Sequence, residues 1–192
     1  MSTLSRAFYK MAWGVLILGV GSSVALGQSK RDMTIVDLIN VPLLSDPALS
    51  PDGAQLLYTL AEANWDKNKR ISHIWRIQTD GSGLVQMTTG EEGERAPAWS
   101  PDGEWIAFLA TRDETEEEED DHAQIFLLSN HGGEALPLTQ HETGVTSFQW
   151  APDGKTIYFT AHDPKTEEEK KREELQDDVF AYDEDYEQIH LW

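Results

Sequence analysis

The tripeptide Pro-Asp-Gly recurs as Pro51-Asp52-Gly53, Pro101-Asp102-Gly103 and Pro152-Asp153-Gly154, with the glycines 50 and 51 residues apart. A period of that length suits one four-stranded propeller blade with its loops. Each copy is a tight turn: proline presets φ, aspartate bonds back to nearby backbone N–H groups, and glycine accepts positive φ. The flanks repeat as well. Leu49-Ser50, Trp99-Ser100 and Trp150-Ala151 come before the turns, and Leu56-Leu57-Tyr58, Ile106-Ala107-Phe108 and Ile157-Tyr158-Phe159 follow them. Alternate positions 56/106/157 and 58/108/159 are apolar, which predicts a strand after each turn that buries this face.

A further strand is visible in each unit, at Ile74-Trp75-Arg76-Ile77, Ile125-Phe126-Leu127-Leu128 and Ile189-His190-Leu191-Trp192. In the first two units the hairpin turns Asp80-Gly81-Ser82-Gly83 and His131-Gly132-Gly133-Glu134 lead to expected outer strands, Leu84 to Thr88 and Ala135 to Thr139. The third unit reaches Trp192 before such a strand. The expected fold is therefore all-β, an incomplete β-propeller of about two and a half four-stranded blades, because closure takes roughly four to eight. The blades fall near 45–95, 96–145 and 146–192, with acidic insertions at 112–122 and 162–188. Thr34, three residues before Asp37 and ahead of Ile35, Val36, Leu38 and Ile39, predicts a short capped helix on the propeller rim, within an extension at 28–44.

The N-terminus is read separately. Arg6 and Lys10 precede an apolar run from Met11 to Leu26 that ends in small residues, the pattern of a cleavable secretory signal at 1–27 cut after Gly27. The run falls short of the roughly 20 residues that span a bilayer. The expected location is secreted or periplasmic, with membrane contact only through the signal before cleavage. Loss of this segment removes two bases and no acids from a chain whose formal charge is −20. Such a field disfavours nucleic acid and anionic lipid. Without cysteines there is no disulfide framework and no thiolate chemistry.

No Gly-x-Ser-x-Gly is present, and Ser82 lies in an expected hairpin turn, not a strand-to-helix elbow. No catalytic residue is assigned. The histidines at 73, 122, 131, 141, 162 and 190 lack ligand spacing, and surface or rim positions are expected for them. The acidic run Asp113 to Asp121 has no calcium-loop spacing and no glycine to fold it round an ion, so a solvated loop is expected and no metal or cofactor is assigned. Asp177, Asp178, Asp183, Glu184 and Asp185 are interleaved with Phe180, Tyr182 and Tyr186. Two readings stay open there: a site for a peptide amino terminus or cationic side chain, or a loop anchored by its rings. Asp183, Glu184, Asp185 and Tyr186 are the candidate substrate-binding residues. In a four-stranded meander the loops between second and third strands share one end of the sheets with the connections between blades, opposite the Pro-Asp-Gly turns, so both acidic insertions gather at that end.

Two stretches carry a family resemblance. Met33-Thr34-Ile35-Val36-Asp37-Leu38 with Ser45-Asp46-Pro47-Ala48-Leu49-Ser50-Pro51-Asp52-Gly53, and Asp177 to Tyr186 through Leu191-Trp192, resemble the amino-terminal propeller of the prolyl oligopeptidase family of serine peptidases, especially its acylaminoacyl and dipeptidyl peptidase-like members. The resemblance implies a propeller that screens peptide substrates for a carboxy-terminal α/β-hydrolase domain bearing a Ser-Asp-His triad, a domain missing from these 192 residues. The alternative is a TolB-like, non-enzymatic periplasmic propeller for protein interaction, which shares the Ser-Pro-Asp-Gly turn. Oligomeric state is not legible.

Overall fold

The computed structural model describes residues 31–111, 122–167, 171–172, 175 and 189–192. The chain divides into two compact units, Met1–Met33 and Thr34–Trp192. The first adds only residues 31–33 to the described set, and the architecture below is that of the second. The expected signal segment, residues 113–121 and the cluster 177–186 lie outside the described residues.

Helix α1 (Ile35–Ile39) starts as its sequence predicts: Asp37 N–H donates to Thr34 Oγ1, and the Asp37 carboxylate accepts from Thr34 N–H at 2.8 Å. It buries no residue, which corrects the expectation that it packs on the rim. Polar ties hold its far end instead: the Arg70 guanidinium donates to the Ile39 and Val41 carbonyls, and the Trp65 indole donates to Asn40.

Apart from helical residues at 167 and 171–172, the remaining regular structure among the described residues is antiparallel strand. The first sheet orders β1 (Leu43–Leu49), β2 (Gln55–Asn64), β3 (Lys69–Gln78) and β4 (Val85–Gln86) as they run in the chain. The second repeats this with β5 (Glu94–Trp99), β6 (Trp105–Ala110), β7 (Gln124–Ser129) and β8 (Leu136–Pro137). The third holds β9 (Ser147–Trp150), β10 (Ile157–His162) and β11 (Ile189–Leu191). The three sheets do not close a ring, so the chain is an all-β, incomplete propeller. Outer strands β4 and β8 are two residues long, not the five expected of each, for a reason common to both. The Thr88 and Thr139 hydroxyls accept from Ile74 and Ile125 N–H at 2.9 Å, where a longer strand would have supplied a carbonyl.

The second sheet is the centre of the core. One face, with Ile106, Phe108, Phe126 and Leu128, packs on Leu57 and Ile74 of the first sheet. The other, with Ala107, Leu109 and Ile125, packs on Phe148, Trp150, Ile157 and Phe159 of the third. Position 57, not the expected 56/58 face, is therefore the buried one in the first sheet, since its apolar neighbour lies on that side. Indoles tie the sheets in register: Trp99 Nε1 donates to Ala48 O at 3.0 Å and Trp150 Nε1 to Ala98 O at 3.4 Å. The Arg76 guanidinium reaches across to Asn130, whose amide donates to Gln55 and to the Gly103 carbonyl.

The repeated turns form as their chemistry requires. Ser50 Oγ donates to Asp52 at 2.6 Å, and Asp52 also accepts from Ala54 N–H; Ser100, Asp102 and Glu104 repeat this. In the third turn Ala151 replaces the serine, and Asp153 accepts from Lys155 and Thr156 N–H. Gly53, Gly103 and Gly154 take φ of 74°, 76° and 67°. The serine hydroxyls first, then backbone N–H groups, hold the Asp52 and Asp102 carboxyls below the usual aspartate value; for Asp153 the Lys155 N–H is the main cause. A depressed carboxyl stabilises the fold above its unfolded pKa of about 3.9 and loses that contribution as pH falls through its lower folded value. We expect acid titration by NMR to show all three carboxyls protonating below pH 3.9. Titration at the unfolded value would contradict the turn geometry.

A second repeated glycine has a steric role. Gly93 and Gly144, at φ 91° and 72°, lead toward β5 and β9. A Cβ on Gly93 would lie 2.9 Å from Ser72 O, and one on Gly144 2.7 Å from His122 Cβ. Gly93→Ala should therefore lose about 1–2 kcal/mol in a urea titration, through positive φ and backbone overlap together.

Candidate functional site

The loop between β2 and β3 and the connection from β4 to β5 meet at one end of the sheets. Lys67 of the loop pairs with Glu91 at 3.3 Å and Glu92 at 3.0 Å in the connection, and Lys69 pairs with Glu92. Hydrogen bonds from both lysines hold the Glu92 carboxyl below its usual value. This is the end where the meander argument gathers the loops, and Trp65 stands exposed beside it.

The candidate substrate-binding residues Asp183, Glu184, Asp185 and Tyr186 lie outside the described residues. The turn residues at 51–53, 101–103 and 152–154 lie where expected, at the opposite end of the sheets. Ser82 sits in the β3–β4 turn with its hydroxyl donating to Asp80 at 2.7 Å. No group of three or more metal-ligating side chains is found among the described residues.

Three histidines, His73, His141 and His162, are half-buried and so depart from the expected surface positions. The His141 ring stands edge-on to Trp192 and Phe159, with centroids 5.0 and 5.9 Å away. His73, on β3, places Nδ1 3.0 Å from Glu94 Oε2, while Glu94 Oε1 accepts from Gly90 N–H at 2.7 Å. Glu94 opens β5 and is 1% exposed. It borders a cavity of about 280 Å³ between the first two sheets, together with Thr88, Leu128 and Glu134. Its contacts tie the first sheet to the start of the second.

A second cavity, of about 340 Å³, opens where the first strands of all three sheets converge. Pro47, Pro97, Leu109 and Phe148 give it apolar walls, and Asp46 and Arg95 bring the charges. Both proline segments are bulges: the ladder breaks between Ser45 and Ala48 in β1 and between Arg95 and Ala98 in β5. Asp46 at φ 50° and Ala96 at φ 52° are two of three non-glycine residues with positive φ among those described. Such conformations concentrate at functional sites. Arg95 is exposed, and no carboxylate among the described residues forms an ion pair with it. Sequence reading passed over this site. The signal available was the x-Pro-Ala pattern shared by Asp46-Pro47-Ala48 and Ala96-Pro97-Ala98, which falls at the repeat period.

Comparison with known proteins follows from this geometry. Over 151 residues the chain is 34% identical to an uncharacterized peptidase, YuxL, of Bacillus subtilis, covering 79% of this chain and 22% of that protein. It is 35% identical over 117 residues to dipeptidyl-peptidase 5 of Porphyromonas gingivalis, covering 61% of this chain and 16% of that enzyme. Among solved structures, the acylaminoacyl peptidase of Pyrococcus horikoshii superposes with a TM-score of 0.55 at 21% identity, over 68% of this chain and 19% of that one. The AtxE2 isopeptidase superposes with a TM-score of 0.60 at 18% identity, over 81% and 29%. No family model matches. The chain spans about a fifth of the length of the curated relatives it matches. The structural matches establish the fold and the sequence relatives are peptidases, so the chain is identified as a β-propeller portion of the prolyl oligopeptidase family type.

Proposed function

We propose that this chain is the substrate-gating propeller portion of an exported serine peptidase that hydrolyses peptides. The observation that carries the reading is the 34% identity to a peptidase across most of the chain, on sheets that superpose on those of peptidases. In this reading peptides are the partners, and the chemistry belongs to an α/β-hydrolase domain outside these residues. The propeller limits which peptides reach that domain. The end of the sheets bearing the β2–β3 loop is the selecting surface, with Asp183, Glu184, Asp185 and Tyr186 contributing negative charge and ring area toward a peptide amino terminus or cationic side chain. Arg6, Lys10 and the apolar run to Leu26 support export.

One experiment addresses both parts. Native protein is captured from cell envelope and culture fractions with an antibody against residues 34–111, treated with a fluorophosphonate probe of serine hydrolases, and its N-terminus sequenced. The expected result is a labelled polypeptide beginning at Gln28. A captured polypeptide that takes no label sinks the peptidase reading, and an N-terminus at Met1 sinks the cleaved signal.

A further inference from the structure

We propose that the cavity at the convergence of β1, β5 and β9 is a binding site for a peptide carboxylate, with Arg95 as the residue that recognises it. The proposal rests on the reading of the chain as a peptide-screening propeller, and adds to it a place in the fold and a ligand chemistry.

The chain carries 15 basic against 35 acidic residues, so its field repels anions over most of its surface. A cation in such a chain ordinarily finds a carboxylate, as Lys67 and Lys69 do with Glu91 and Glu92. Arg95 forms no such pair among the described residues, although Asp46 lines the same cavity. Its planar guanidinium offers paired N–H donors in the geometry that matches a carboxylate's two oxygens.

A volume of about 340 Å³ lies in the lower range of small-ligand pockets. Leu109 pairs in register with Arg95 on the neighbouring strand, so both side chains share the face that lines the cavity. The bulges at Asp46-Pro47 and Ala96-Pro97 take two successive first strands out of ladder pairing just where they border the cavity. The bulges set Asp46 and Ala96 at matching positions on the two strands that border the cavity. Two strained, non-glycine residues kept at equivalent repeat positions fit a surface shaped for a ligand.

A carboxylate can come from a peptide's C-terminus or from an acidic side chain, and the test separates these. Ala-Ala-Ala with a free carboxylate, the same peptide as its amide, and Ala-Glu-Ala-amide, each labelled at the N-terminus with an uncharged BODIPY dye, are titrated against the full chain by anisotropy at low salt. The free acid should bind at least tenfold more tightly than the tri-alanine amide. The Arg95→Gln variant should abolish that difference, Arg95→Lys should keep part of it, and Lys67→Gln, outside the cavity, should leave it unchanged. Binding of Ala-Glu-Ala-amide equal to the free acid assigns the site to any carboxylate; failure to bind assigns it to the C-terminus. Equal binding of acid and amide overturns the Arg95 proposal and leaves peptide screening standing, as does a preference that survives in Arg95→Gln. Binding of none of the peptides overturns the Arg95 proposal and counts against peptide screening by this portion. Circular dichroism of each variant, matched to the parent, confirms that lost binding is local.

Discussion

Replacing Phe108 with alanine should lower the unfolding free energy by about 3–5 kcal/mol in urea titration, the range for truncating a buried phenylalanine. Phe108 is 0% exposed at the middle of β6 and stacks on Phe126 with centroids 6.0 Å apart. It belongs to the face of the second sheet that meets Leu57 and Ile74, so the void opens between two sheets, each held by its own strand pairing, and cannot close easily. Phe159 offers the comparison. It occupies the same repeat column in the third sheet but is only half-buried, against Trp192 and His141. Phe159→Ala should lose less than half as much. Equal losses would show that the third sheet is as well enclosed as the second and would contradict the arrangement of the core.

Glu94→Leu should lose about 2–4 kcal/mol, because it strands the Gly90 N–H and the His73 ring, and an unmade buried hydrogen bond costs about 1–3 kcal/mol. Leucine fills similar volume, so the loss reports the bonds and not a cavity. Glu94→Gln keeps a carbonyl oxygen for Gly90 N–H and an amide to face His73, and should lose less than about 1 kcal/mol. The measurement is again urea unfolding, with hydrogen exchange at Gly90 as a local readout. If Leu and Gln variants are equally stable, Glu94 does not tie the first two sheets together.

Much of this architecture was legible in the sequence because its determinants are local. Pro-Asp-Gly makes a turn from its own dihedral limits and the aspartate's reach, and Thr34 with Asp37 caps a helix through groups three residues apart. The recurrence of Pro-Asp-Gly at 50 and 51 residues marked the blade, while the opening segment and the stretch from Asp177 carried the family resemblance. The lengths of β4 and β8 were less legible, since a threonine hydroxyl can replace a strand carbonyl without changing the polar or apolar pattern that marks a strand.

Only the tertiary structure decided which face of each sheet is buried. Alternation selects a face when the other meets water, but in stacked sheets both faces can meet protein, and the neighbour's side settles the matter. Leu57, buried where Leu56 and Tyr58 are not, is the result. The same holds for Glu94 and Arg95, adjacent charged residues whose surroundings the sequence does not distinguish. Adjacent residues of a strand point to opposite faces, so the fold encloses Glu94 against His73 and Gly90 and turns Arg95 to the open cavity. Turns and strands were set by residues near in sequence, whereas this division of charge was set by strands about fifty residues apart meeting in space.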